Sequence, residues 1–136
     1  MKKILFLLFV PSLIFSQDAK EIAKKCMPYT VSLVMEDYYK QPLSLGSGFI
    51  VGNGKIVTNV HVIENANYGY VTISSETKKY NIEGYYSIDK TNDLVLLSVP
   101  TLTGNTIEFS STPPEIGEKI YAIGNPKGLS GTISEG

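Results

Sequence analysis

His61 and Asp93 are the two side chains whose types and surroundings suit proton transfer. His61 is the one histidine in 136 residues, and imidazole is the side chain whose ordinary pKa lets it take up and release a proton near neutrality. It follows the β-rich run Ile56-Val57-Thr58-Asn59-Val60 and precedes the polar Glu64-Asn65. That context predicts a place at the end of a strand, where a rigid scaffold holds a side chain at a cleft. Asp93 stands directly before Leu94-Val95-Leu96-Leu97. An unbroken apolar run of that length predicts a strand buried on both faces, with the carboxylate delivered at its mouth and water kept away from an imidazole partner. Each residue also has a plainer reading. A lone histidine is more often structural than catalytic, and an aspartate commonly bonds its own backbone in a turn. Asp89 is the nearest rival carboxylate.

Other chemistries find little support. With one His and one Cys, a transition-metal site would need several carboxylates, and the sequence holds no such cluster. Cys26 can form no internal disulfide and fits no zinc-type spacing. Its expected role is that of a small buried apolar residue; the sharper alternative is a thiol paired with His61, for which its neighbours Lys25 and Met27 offer no orienting group. All 12 basic residues are lysine. A chain without arginine lacks the planar fork that reads guanine edges or clamps phosphates, so no nucleic-acid partner is expected. No cofactor is implied.

The elements that must position this pair read as strands. Residues 29–35 (YTVSLVM), 47–51 (SGFIV), 55–60 (KIVTNV), 71–74, 79–88 and 94–99 form a series of short β-prone runs. Gly52-Asn53-Gly54 between the second and third is a hairpin turn with residues that tolerate positive φ. Six strands at close spacing, with almost no helix between them, predict a small antiparallel barrel or sandwich. Residues 101–115, bounded by Pro100 and Pro113-Pro114, read as a connection. A strand at 118–123, a turn at 124–128 and an extended piece at 132–134 then begin a second group with too few strands to close on itself.

Composition agrees with a folded β-rich domain: 43% of residues are apolar, 18% are charged, and nine are tyrosine. Lys2-Lys3 followed by the apolar residues 4–15 has the form of a secretory signal. That run includes Pro11 and is shorter than the roughly 20 apolar residues needed to span a bilayer. Cleavage is expected between Ser16 and Gln17, which removes two lysines and no acid and leaves a formal charge of 10 − 13 = −3. An uncleaved anchor is the alternative. Residues 17–25 (QDAKEIAKK) set Ala19, Ile22 and Ala23 on one face of a short amphipathic helix that Pro28 should stop.

Four blocks, taken in order, carry a resemblance to a known family. Gly46-Ser47-Gly48-Phe49-Ile50-Val51, Thr58-Asn59-Val60-His61-Val62-Ile63, Asn92-Asp93-Leu94-Val95-Leu96-Leu97, and Tyr121-Ala122-Ile123-Gly124-Asn125-Pro126 with Gly128-Leu129 resemble, at compatible spacing, the motifs of HtrA/Deg-type trypsin-like serine proteases. The resemblance runs from about residue 29 to residue 136. It implies an all-β double barrel with the first barrel complete and the second only begun, and the division 1–16 signal, 17–28 helical lead-in, 29–100 first barrel, 101–115 connection, 116–136 start of the second barrel. It further implies that His61 is the general base of a Ser-His-Asp triad and Asp93 its orienting carboxylate. The implied reaction is hydrolysis of peptide bonds in exported or misfolded polypeptides, in the periplasm or outside the cell. The resemblance implies no cofactor and no stable membrane insertion after signal cleavage, and it is compatible with a homo-oligomer.

The nucleophile departs from the family pattern. The family's serine lies in a Gly-x-Ser-Gly-Gly stretch that also supplies oxyanion-hole N–H groups, and these 136 residues contain none. Ser47, between Gly46 and Gly48, belongs to a block where the family has no nucleophile, and Ser130-Gly131 follows the Gly-Asn-Pro turn. The chain alone is therefore expected to be inactive, as a truncated protease. The alternatives are a non-catalytic trypsin-like β-barrel that binds a partner, and an unrelated surface or adhesion module with a fortuitous histidine.

Overall fold

The computed structural model describes residues 14–73, 76–104, 106–125 and 131–136. It opens on helix α1 (Ile14–Cys26), whose last turn carries Lys24 and Lys25, the charge sign that suits a helix C-terminus. Pro28 lies in the 3-10 turn Met27–Tyr29, after which the backbone becomes extended at Thr30. The Thr30 hydroxyl donates to the Cys26 carbonyl at 3.2 Å and secures this junction. The junction expected to be cleaved, Ser16–Gln17, lies within α1, and the start of the expected signal, residues 1–13, lies outside the described residues.

Strands β1 (Thr30–Glu36), β2 (Pro42–Gly52), β3 (Lys55–Thr58), β4 (Tyr68–Ile73), β5 (Tyr80–Asn81), β6 (Gly84–Asp89) and β7 (Leu94–Ser98) form one antiparallel sheet in the order β5-β4-β1-β2-β3-β7-β6. Its two ends belong to one extended segment. The N–H of Ile82 donates to Gly69 of β4 at 2.9 Å, and the N–H of Glu83 donates to Ser98 of β7 at 2.9 Å. The chain thus changes partners between two adjacent residues and closes the sheet into a barrel, which removes the exposed edges that an open sheet would present.

Alternation along the strands fills this barrel. Val31, Leu33 and Met35 of β1 are buried, as are Ile50, Ile56, Val71, Val95 and Leu97 from the surrounding strands, with Val99 and Leu102 beneath. Full burial of each such side chain is worth roughly 1.5–3 kcal/mol. The expectation that β7 is buried on both faces is corrected here. Val95 and Leu97 point inward, whereas Leu94 is exposed and Leu96 is only half-buried, because a barrel wall has a single packed face. The other limits shift as well. The run expected at 55–60 ends as a strand at Thr58, the run at 79–88 splits at the partner change, and β2 starts at Pro42, a first-residue position that proline tolerates.

Beyond the barrel, β8 (Tyr121–Gly124) and β9 (Thr132–Glu135) form a separate antiparallel pair. Ile120 and Gly136 extend it by exchanging backbone bonds of 3.2 and 3.0 Å, and Lys119 meets Glu135 at 2.9 Å. The all-β class is as expected, with a seven-stranded barrel and, beside it, a separate strand pair. The turn expected at 124–128 falls mostly outside the described residues.

The β2–β3 turn is tied to the chain beyond β7. Gly54 has φ +65°, its N–H donates to Leu102 at 2.8 Å, and its carbonyl accepts from Val99 at 2.8 Å. A Cβ there would lie 3.2 Å from both Pro100 Cα and Val99 O. Gly54→Ala should therefore lower stability by about 1–2 kcal/mol, the usual cost of a left-handed residue with a side chain. Gly104→Ala, where a Cβ meets nothing within 4 Å, should be close to neutral. Urea denaturation of the two variants checks the difference, and equal midpoints would contradict it.

Candidate active site

His61 lies in a single helical turn, α2 (Val60–Ile63), instead of at a strand end. The sequence Val-His-Val-Ile favours a strand on local propensity, and the surroundings override it. Val60 and Val62 are buried on the barrel core. Val62 also occupies the space over Gly46 of β2, where a Cβ would fall 2.5 and 2.7 Å from its two methyl groups. The Ser44 hydroxyl, also on β2, donates to the Val62 carbonyl at 2.5 Å. With its valines fixed on either side, His61 projects outward with its side chain 67% exposed.

Asp93 reaches this turn from the residue before β7. Its φ of 55° is left-handed, a region aspartate enters more readily than most residues. The side chain makes a two-point contact: Oδ1 accepts the His61 backbone N–H at 3.0 Å, and Oδ2 lies 2.5 Å from the His61 ring nitrogen Nδ1. Its main chain joins in, the Asp93 carbonyl accepting from the Asn59 side-chain amide at 2.9 Å and from the Val60 N–H at 3.3 Å. Four contacts thus fix Asp93 against residues 59–61. The expectation that burial shields the carboxylate is corrected, since its side chain is 43% exposed.

Asp89 takes the turn role considered for Asp93. Its carboxylate accepts the Asn92 backbone N–H at 3.0 Å and the Asn92 side-chain amide at 2.7 Å, which closes the β6–β7 turn and sets the path into Asp93. Ser47 is engaged elsewhere. Its hydroxyl accepts the Asn125 N–H at 2.7 Å, while its carbonyl accepts the Thr58 hydroxyl at 2.7 Å. Buried Asn125 accepts from Gly131 through its side-chain oxygen at 3.2 Å, so Ser47 joins the barrel to the β8–β9 pair. Ser130 lies outside the described residues. Cys26 is half-buried, not fully buried, at the end of α1. No group of His, Cys, Asp and Glu suited to a metal ion occurs among the described residues. The supporting roles of Ser44 and Gly46 were missed by sequence reasoning; the only signal was a glycine at position 46 in a β-prone run.

The Asp93 carboxyl is held below its ordinary value of 3.8, chiefly by the His61 backbone N–H and next by the His61 side chain. A depressed carboxylate contributes stability above its unfolded value and loses that contribution as pH falls through the folded one. Carbon-detected NMR titration should place the Asp93 midpoint below 3.8, and it should remain depressed in His61→Ala, because the larger cause is a main-chain group. Return to the ordinary value in that variant would assign the effect to the imidazole instead.

The chain as a whole is similar to known trypsin-like peptidase domains. The sequence profile described as "Trypsin-like peptidase domain" matches residues 46–136. A protein from Rickettsia prowazekii named "Probable periplasmic serine endoprotease DegP-like" is 37% identical over 112 residues, covering 78% of this chain and 21% of the relative. "Anti-sigma-I factor RsgI9" from Acetivibrio thermocellus is 32% identical over 102 residues, 74% of this chain and 14% of that protein. Among solved structures, a serine endoprotease from Yersinia pestis superposes with a TM-score of 0.75 at 26% identity, over 93% of this chain and 44% of its own. The chain spans about a fifth or less of the length of these two curated relatives.

Proposed function

We propose, from the premise that this chain belongs to the trypsin-like peptidase domain family and is of HtrA/DegP type, that it supplies the base and the orienting carboxylate of a serine endopeptidase. The observation that carries the proposal is the two-point contact of Asp93 with the His61 main chain and ring. An Nδ1–H bonded to a carboxylate leaves Nε2 unprotonated, and Nε2 is then the atom able to take a proton from a serine hydroxyl and return it to the departing amine. The nearby negative charge also stabilises the imidazolium formed in between. A hydroxyl is a weak nucleophile near neutral pH without such a base within hydrogen-bond reach, which is why these two residues must meet.

The nucleophile in this reading comes from a Gly-x-Ser-Gly-Gly segment, which these 136 residues do not contain. Polypeptides are the proposed substrates, exported or misfolded ones in particular, and the periplasm or the exterior is the proposed location. The Lys2-Lys3 start with its apolar run and the name of the Rickettsia relative support that location. No helix among the described residues is long and apolar enough to cross a membrane. A second reading, a non-catalytic barrel that binds a partner, is favoured by the anti-sigma name of one relative.

Labelling with a serine-directed fluorophosphonate separates the two serines from any role in catalysis. The 136-residue chain should remain unlabelled and hydrolyse no peptide, since each missing oxyanion donor alone is worth roughly 10²- to 10³-fold in rate. Stoichiometric labelling at Ser47 or Ser130 would overturn this assignment.

In a protein that carries this chain together with a Gly-x-Ser-Gly-Gly segment, His61→Ala and Asp93→Asn should each remove most turnover without unfolding the protein. For the chymotrypsin triad, the general worked case of this chemistry, the Asp-to-Asn change lowers kcat by about 10⁴-fold, and that magnitude is adopted here. Asp89→Asn should keep kcat within about tenfold, or roughly 1.4 kcal/mol in the barrier. Equal losses at Asp89 and Asp93 would reassign the carboxylate, full activity in His61→Ala would remove His61 from the base role, and no turnover in the unaltered joined protein would favour the non-catalytic reading.

A further inference from the structure

The mouth of the closed barrel behind α2 holds a cavity of about 290 Å³, close to the lower end of the roughly 300–1,000 Å³ typical of small-molecule sites. Its floor is Met35 and Leu97, both almost fully buried, and Ile63 and Ala66 form the wall nearest α2. Of its two glycines, Gly69 is covered by the Met35 side chain and Gly84 leaves the edge open. A Cβ at Gly69 would come within 2.7 Å of the Met35 sulfur and methyl, and one at Gly84 would meet nothing within 4 Å. The thioether therefore lies directly over Gly69, and an unbranched methionine can shift to fit an occupant.

We propose that this cavity binds a small uncharged amphiphile, an alkyl chain carrying a hydroxyl head. The chain suits the Met35, Leu97 and Ile63 surfaces, which offer no polar side-chain atom. The head suits the rim, where the exposed rings of Tyr68 and Tyr85 bring phenol groups able to donate and accept. Glu83 is the one charged residue in the lining, and a carboxylate there disfavours an anionic head. Lys40 lies near the rim, but its ammonium stands 3.2 Å from the centre of the Tyr68 ring and 3.9 Å from the Glu36 carboxylate, so its charge is already engaged. Because Ile63 ends the turn that bears His61, an occupant also packs against the base of α2.

The three methionines provide the measurement. In the full chain with ¹³C-methyl methionine, titration with 1-octanol should shift the Met35 methyl resonance to saturation and leave Met27 in place. Sodium octanoate at neutral pH should bind about tenfold more weakly or less, a difference of roughly 1.4 kcal/mol. Ala66→Leu, which fills the cavity, should abolish the shift, and Ile82→Phe serves the same purpose if the first variant loses its native circular dichroism. His61→Ala should bind octanol as the unaltered chain does, so the outcome is independent of the protease reading. An unsaturable Met35 shift, an equal shift in a folded cavity-filled variant, or octanoate binding as tightly as octanol would each overturn the proposal. Tighter binding of N-acetyl-leucinamide than of octanol would also overturn it, by assigning the cavity to a polypeptide side chain.

Discussion

One carboxylate holds the site together. Asp93 binds the His61 backbone and the His61 ring at once, so the placement of the main chain and the orientation of the side chain are not independent. A contact made only to the backbone would leave an exposed imidazole free to rotate, and one made only to the ring would leave the turn beneath it unanchored. Here the same carboxylate that selects the ring nitrogen also anchors the turn on which the ring is mounted. Such charge-assisted bonds are shorter and stronger than neutral ones. The geometry thus survives at a position where both side chains remain substantially in water.

Everything beneath the pair serves to deliver those groups from opposite sides. β7 pairs directly with β3 in the sheet, and this pairing sets Asp93, just before β7, against residues 59–61, just after β3. Gly46 leaves room for Val62, and Ser44 ties its carbonyl. The histidine turn is therefore seated on β2 as firmly as it is tied to Asp93. Ser47 extends the same strand's influence outward, since its hydroxyl receives the Asn125 N–H and joins the barrel to the β8–β9 pair. A single strand thus supports the His61 turn on one side and the β8–β9 pair on the other.

Much of this was legible in the sequence, for identifiable reasons. The strands of the barrel alternate buried and exposed residues, a period that composition and turn residues such as Gly52-Asn53-Gly54 make readable. The single histidine and the carboxylate ahead of a leucine-rich strand are rare features, so their types could be singled out without knowing their distance. What escaped was set by tertiary context. Val60 to Ile63 carries a strand-like sequence, and only the seat over Gly46 and the bond from Ser44 make it a helical turn. The partner change at Ile82-Glu83 has no local signature, because both halves of the segment remain extended. The exposure of Asp93 and its positive φ are set by the turn into β7, which no pattern of apolar residues reveals. Asp89 and Asp93 could each have closed the turn, and Asn92 decides between them by bonding Asp89.

The central claim is that Asp93 fixes the tautomer of His61, and it can be read directly because the chain has only one histidine. Long-range ¹H–¹⁵N NMR of the neutral imidazole distinguishes the two ring nitrogens. If Asp93 fixes the ring, Nδ1 carries the proton, this proton resonates at unusually low field through its bond to Asp93, and Asp93→Asn abolishes both features with the barrel intact. A ring found mainly in the Nε2–H form in the unaltered chain, or a tautomer unchanged in Asp93→Asn, would contradict it.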